Sequence, residues 1–343
     1  MTIGHSIGRM IFGLLVGLNL ASEARAEDFY AGKTIEMVVG LPAGGGIDAY
    51  ARLIARHMGK HIPGNPSFIV MNMPGAASIR AVNYLANLAK PDGLTIGTFL
   101  GHVVWSQVFN RPGVQFDARK LRWLGIPAAR TGACVLGQMS GIGDIQKWKA
   151  AGQPVPMGAV GLGSESSNMV KILQQTVGLP IHLVPGYAGS QQLGLALEKG
   201  EVSGVCLQWE AMATTWKSQF DRGIIFPVLQ FRRTPHPALA NVPLAVSLAK
   251  TDEDIELLTA GVERSNAITT SYALPPNTPE DRVAILRKAF METLKDPAAL
   301  AEAERMSLDM LPIDGEETEK LIAGFFALSP GVRDRLRAIL VTD

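Results

Sequence analysis

The residues with chemistry to offer are mostly backbone. From Gly40 to Arg56 the chain reads GLPAGGGIDAYARLIAR, with three consecutive glycines, Gly44, Gly45 and Gly46. The run Thr34 to Val39 before it has strand character, and Ala49, Leu53 and Ile54 after it fall on one helical face. A strand–glycine loop–helix junction leaves backbone N–H groups without partners at the helix start, where the dipole favours negative charge. Asp48 stands where the helix N-cap is expected. The pattern fits a cradle for a small anion, and it also fits an ordinary tight turn. Three more small-residue loops repeat it, at residues 72–78, 161–168 and 185–190. The hydroxyls of Ser78, Ser164 and Ser190 could add hydrogen bonds to a carboxylate, each worth about 1.5–3 kcal/mol to a charged acceptor. Arg80 could assist, although a solvated helix residue is the commoner reading. Tyr187 and Trp209 could cover the body of a ligand, although residue type alone favours core packing for both.

Enzyme chemistry is hard to find. The glycine loop is closed by no Gly-Lys-Ser/Thr and lacks GxGxxG spacing, so it reads neither as a P-loop nor as a dinucleotide fingerprint. Ser164 follows Gly163 without the second glycine of a nucleophile elbow. His57 and His61 have the i,i+4 spacing of a chelating pair, but no Glu adjoins His57, and both read as helix-end residues. Carboxylates do not cluster as acid–base work requires. The expectation is a binding protein with no catalytic residue, no metal and no cofactor.

These loops need a sizeable scaffold. The chain has 343 residues, 47% hydrophobic and 18% charged, enough for about two domains. Lys+Arg and Asp+Glu nearly balance at 32 and 31, with no basic stripe, so nucleic acid is not an expected partner. Arg9, the apolar run Met10 to Leu20 and the small-x-small site Ala24-Arg25-Ala26 form a secretory signal over residues 1–26. Cleavage is expected after Ala26, giving an exported, soluble protein. Cys134 and Cys206 both lie in apolar, strand-like runs and read as free buried thiols rather than as a bridge.

Strand and helix patterns alternate. The first hundred residues read β-loop-α-β-loop-α-β, the grammar of a parallel, doubly wound sheet with ligands at the carboxyl ends of its strands. Residues 155–210 repeat it, and the last hundred residues are helix-rich. Four loops of one kind, two in each half, point to two α/β lobes facing each other across a cleft.

Taken in order, Leu41-Pro42-Ala43-Gly44-Gly45-Gly46-Ile47-Asp48 with Ala51-Arg52, Asn72-x-Pro74-Gly75-Ala76, Pro91-Asp92-Gly93-x-Thr95, Gly161-x-Gly163-Ser164, Val184-Pro185-x-Tyr187-x-Gly189 and Pro275-Pro276-x-Thr278-Pro279 resemble the extracytoplasmic solute receptors of tripartite tricarboxylate transporters, the Bug or TctC-like family. The resemblance covers nearly the whole chain after the leader. It implies a type II periplasmic-binding-protein fold, with lobe one at 27–128 plus 246–343, lobe two at 129–245 and crossing strands as hinge. It implies a monomer in the periplasm that captures an organic acid and delivers it to a permease of one small and one large membrane subunit. The site residues it implies are Ala43, Gly44, Gly45, Gly46, Asp48, Gly75, Ala76, Ala77, Ser78, Gly163, Ser164, Tyr187, Gly189 and Ser190, to which Trp209 is added from its position after a strand.

The chain departs from the family in its loops. Many members have Gly-Ala-Gly-Gly where this chain has Gly75-Ala76-Ala77-Ser78. Many place His where Ser166, Ser167 and Asn168 stand, or Asp near Ser203. A receptor that feeds a sensor, an orphan receptor for a neutral ligand and an exported α/β enzyme acting on an organic acid are the competing readings.

Overall fold

The computed structural model describes residues 29–341. The expected signal peptide and its cleavage after Ala26 lie outside the described residues. Among these, no helix is long and apolar enough to cross a membrane. The chain runs through β1 (Thr34–Val39), α1 (Gly46–Met58), β2 (Ser67–Asn72), α2 (Ile79–Asn87), β3 (Thr95–Leu100), β4 (Arg122–Ile126) and β5 (Gly132–Gly137). It continues through β6 (Val155–Ala159), α3 (Glu165–Thr176), β7 (Ile181–Pro185), α4 (Ser190–Lys199), β8 (Gly204–Gln208), α5 (Trp209–Thr215) and β9 (Ile225–Phe231). Then come α6 (Asp252–Leu258), β10 (Thr270–Leu274), α7 (Glu280–Thr293), α8 (Pro297–Arg305), β11 (Ile313–Asp314) and α9 (Pro330–Leu340). Two units result. Among the described residues the first takes 29–103, 112–127 and 270–320, and the second takes 104–111, 128–269 and 321–341.

The first unit is built on a six-stranded sheet ordered β11-β4-β10-β3-β1-β2. β2, β1 and β3 are parallel, as the alternation of strand and helix predicts. β10 lies antiparallel between β3 and β4, so the sheet is mixed. Ile35, Met37 and Val39 of β1 are buried against Ala51, Leu53, Ile54 and Met58 of α1 and Leu286 and Phe290 of α7. α1 also meets α8 through charge. Arg56 and His57 pair with Glu302, and Lys60 and His61 pair with Asp296. Each histidine of the i,i+4 pair thus lies against a different carboxylate, His57 Nε2 at 2.6 Å from Glu302 Oε2 and His61 Nε2 at 2.9 Å from Asp296 Oδ2.

The second unit carries a five-stranded sheet ordered β7-β6-β8-β5-β9. β7, β6 and β8 are parallel, while β5 runs antiparallel to both β8 and β9. One cluster of its core joins Ala133, Val135 and Val205 to Leu193 and Leu197 of α4 and to Trp216. The division corrects the expected lobes. Residues 246–269 and 321–341, assigned above to lobe one, belong to the second unit. The reason is packing: α6 and α9 both lie against α3. A Cβ on Gly261, between α6 and β10, would come within 2.6 Å of Ile172 Cδ1 and 2.8 Å of Leu336 Cδ2.

The cysteines are also corrected. Cys134 of β5 and Cys206 of β8 face each other across the antiparallel ladder with Cα atoms 4.0 Å apart, and they form a disulfide. Apolar surroundings read as free thiols, but the register of two strands 72 residues apart decides the pairing. Replacing both cysteines by alanine is expected to lower stability by about 3 kcal/mol, because the bridge removes a long loop from the unfolded ensemble. Chemical denaturation of the double variant beside the wild type measures it.

Candidate functional site

The two loops of the first unit leave neighbouring parallel strands, β1 and β2. The loop after β1 is held from below. Gly40 N donates to Thr98 O at 2.8 Å, and Met73 N, just past β2, donates to Val39 O at 2.7 Å. α1 begins at Gly46 with Gly45 as its N-cap and no capping side chain. Asp48, expected at the cap, is instead the third helical residue and only 2% exposed. Its Oδ2 accepts from Gly44 N and from Arg52 Nε, each at 2.9 Å, and its Oδ1 accepts from Asn72 Nδ2 at 2.9 Å. Asn72 Nδ2 also donates to Leu41 O at 2.9 Å, and Arg52 Nη2 donates to Asn72 Oδ1 at 3.1 Å. One carboxylate therefore ties the glycine loop, α1 and the end of β2 together. The Arg52 hydrogen bond, with help from Gly44 and Asn72, holds its pKa at about 2 against an ordinary 3.8. Ala43, Gly44, Gly45 and Gly46 remain exposed at the uncapped helix start.

In the second loop Gly75, Ala76, Ala77 and Ser78 all have positive φ, at 144°, 46°, 48° and 77°. The left-handed region costs an L-residue with a Cβ about 1–2 kcal/mol. Ala76 and Ala77 are exposed, whereas Ser78 is buried. Its hydroxyl, expected to face a ligand, donates to Gly40 O at 3.1 Å and accepts from Leu100 N at 3.4 Å. The two chains approach so closely that a Cβ on Gly40 would lie 2.8 Å from Ser78 Oγ. Arg80 is exposed and lines a cavity of about 530 Å³ with Met73, Ala76, Tyr84 and Leu88.

In the second unit the loops after β6 and β7 are joined where Gly186 N donates to Ala159 O at 3.1 Å and Tyr187 N donates to it at 3.3 Å. Ser164 caps α3, accepting from Ser167 N at 3.3 Å, and donates to Gly161 O at 2.6 Å. Its hydroxyl works inside the loop, while Gly163 is exposed. Gly189 is the N-cap of α4, again with no capping side chain. The Ser190 carbonyl accepts from Trp216 Nε1 at 3.0 Å. Tyr187 and Trp209 both pack against the core, Trp209 edge-on to Phe220 with centroids 5.3 Å apart.

Residues that the sequence reading did not single out stand at the same sheet edge. Arg130 Nη1 donates to Gln208 Oε1 at 2.7 Å, and Gln208 Nε2 donates to both oxygens of Glu165, at 2.9 and 2.8 Å. Thr131 N donates to both oxygens of buried Glu210 at 3.0 Å. Burial pushes the Glu165 carboxyl above its usual range, against the pull of Gln208 and Arg130. The signal available was the polar triplet Gln208-Trp209-Glu210 at the end of a strand. For Arg130 no local pattern existed.

No protein-family model matches the chain. It is 26% identical over 315 residues to the UPF0065 protein in the TAR-I ttuE-ttuC' intergenic region of Agrobacterium vitis, covering 89% of this chain and 83% of that protein. A TctC solute binding protein from Polaromonas, solved without ligand, matches with a TM-score of 0.69 at 18% identity, covering 91% of this chain and 99% of that one. The chain has the fold of the TctC solute-binding proteins. MatC of Rhodopseudomonas palustris, solved with malate, matches at TM-score 0.53 and 18% identity over 90% of this chain and 99% of its own. The R. palustris protein Rpa4515, solved with adipate, matches at 0.55 and 18% over 90% and 97%.

Two outcomes are expected from the first unit. Ala77→Gly relieves a left-handed alanine and should raise stability by about 0.5–1 kcal/mol, after the greater unfolded-state freedom of glycine is subtracted; thermal unfolding checks it. Asp48→Asn should lower the melting temperature at pH 7, by about 1–2 kcal/mol of stability. Because the folded pKa is depressed, that loss is present above the ordinary value of 3.8 and shrinks as pH falls toward about 2. Melting curves of both proteins between pH 7 and pH 3 test the sign.

Proposed function

We propose that the chain is an exported receptor of the TctC and Bug family that binds a small organic acid in the periplasm. It delivers this ligand to a tripartite tricarboxylate-type permease with one small and one large membrane subunit. The observation that carries the reading is the pair of loops on β1 and β2. An uncapped helix start at Gly45 and Gly46 stands beside an exposed left-handed turn at Gly75, Ala76 and Ala77. Both are fastened from inside by Asp48, Asn72 and Ser78. The side chains expected to touch the ligand are used to shape the loops, which leaves main-chain N–H groups to meet a carboxylate. Backbone donors preset in this way lose little freedom on binding, and hydrogen bonds to a charged acceptor are the stronger kind. Malate and adipate in structures of the same fold support a carboxylate as the ligand.

The test is a thermal-shift screen of residues 27–343 against citrate, malate, adipate, acidic amino acids and aromatic acids. A ligand at 100 times its Kd should add about 2.7 kcal/mol of stability. Gly45→Val should abolish the shift without unfolding the protein. Gly45 has φ −85° and ψ 170°, which valine accepts, and a Cβ there meets only Pro42 O at 4.0 Å. An unchanged shift in Gly45→Val would remove the first loop from the site, and turnover of a bound acid would make the protein an enzyme. Co-purification with one small and one large integral membrane subunit tests the delivery step.

A further inference from the structure

We propose that the free edge of β2 joins two copies of this chain, strand to strand, about a two-fold axis at Val70. The inference goes beyond the receptor reading and does not depend on it. β2 ends the six-stranded sheet, with β1 on one side and no strand on the other among the described residues. Ser67 N donates to Lys33 O at 3.0 Å, and Met73 N donates to Val39 O at 2.7 Å. Main-chain groups alternate in direction along a strand. Residues 67, 69, 71 and 73 therefore serve β1, while Phe68, Val70 and Asn72 turn their N–H and C=O groups outward. A bare edge is a template for another chain, and proteins blunt it with charge, proline, a bulge or shortness. The other three edges are blunted. β11 has two residues, one of them Asp314. β7 closes on Pro185, and β9 contains Pro227 beside a register shift. β2, Ser67-Phe68-Ile69-Val70-Met71-Asn72, carries no charge and no proline and pairs with β1 in unbroken register. Its Ile69 is 52% exposed and its Met71 39%.

The occupant that fits is a second copy, because the strand is symmetric in the features that set register. Pro66 and Pro74 stand on the outward alternation, each four residues from Val70. Proline has no N–H to donate, so the two bound the bonding stretch. An antiparallel copy centred on Val70 sets Phe68 opposite Asn72 of the second copy and Val70 opposite its own mate. Each such hydrogen-bonded pair exchanges two main-chain bonds. Moving the axis one residue either way brings a proline against a bonding position and loses a bond. Phe68 and Val70 pack on the core beneath α1, so Ile69 and Met71 lie on the opposite face of the sheet. In the register centred on Val70, Ile69 of one copy stands beside Met71 of the other, an apolar cross-strand pair made twice. No charge meets a like charge within the stretch. Once two copies have paired, neither keeps a bare β2 edge, so assembly closes at the dimer.

The experiment is analytical ultracentrifugation of residues 27–343, with no ligand added, from about 1 to 200 μM. The wild type should pass from the mass of one copy to that of two within this range. The double variant Ile69→Lys/Met71→Lys sets like charges opposite each other and should weaken the dimer at least about tenfold. Ile69→Glu/Met71→Glu should do the same, and an equimolar mixture of the two double variants should recover the doubled mass. Val70→Pro removes the central N–H at an outward position, which an edge strand tolerates, and should also weaken the dimer. Under mild oxidation Ile69→Cys should cross-link to Met71→Cys in a mixture, and neither should cross-link alone. A single-copy mass for the wild type at every concentration overturns the proposal and leaves the receptor reading intact. So does a dimer that survives both charged variants, a charge mixture that stays at the single mass, or cross-linking of either cysteine variant alone. Melting temperatures show that the variants are folded. The exposed positions 69 and 71 carry the test if Val70→Pro is not.

Discussion

A single buried carboxylate keeps the glycine loop of the first unit in shape. Three adjacent glycines give a chain more freedom to lose than any other residues would. Left alone, such a loop would spread over many conformations. Asp48 removes that freedom by accepting hydrogen bonds from the loop itself, from Arg52 one turn further along α1 and from Asn72 at the end of β2. Charge-assisted bonds of this kind are about twice as strong as neutral ones. Because the three donors come from three segments, the loop, the helix and the strand are set in one arrangement. Ser78 does the corresponding work for the second loop, linking it to Gly40 and Leu100.

The second unit solves the same problem with different groups. Ser164 acts as helix cap and loop tie together, with Ser166 and Ser167 bonded around it. At the neighbouring strand end, a chain from Arg130 through Gln208 to Glu165 joins the start of β5 to the start of α3. Hydroxyls carry the neutral part of this edge, and a guanidinium–amide–carboxylate relay carries the charged part. In both units the polar side chains nearest the exposed loops are turned inward. The surface they leave is largely backbone.

The loops themselves were legible because their signals are local. Glycine runs after apolar strands, small residues before amphipathic helices and the order of the motifs placed Gly44 to Gly46, Gly75 to Ala77, Gly163 and Gly189 at strand ends. The direction in which a side chain points was not local. Asp48 and Ser78 have the chemistry to hold a carboxylate, and only the neighbouring strand shows that each already has a protein partner. The lobes were misassigned for the same reason. Residues 246–269 look like a continuation of the C-terminal helices until α3 is seen packed against α6 and α9.

By itself the sequence determined the alternation of strands and helices, the positions of the small-residue loops and the likeness to a family of solute receptors. Hydrophobic period, turn residues and motif order act over a few residues and survive in one dimension. Tertiary structure alone decided the antiparallel return of β10 and β5, the disulfide between Cys134 and Cys206, the inward turn of Asp48 and Ser78 and the place of β2 at the edge of its sheet. Each of these depends on which distant segment lies alongside, and strand register and packing set that after the local elements have formed.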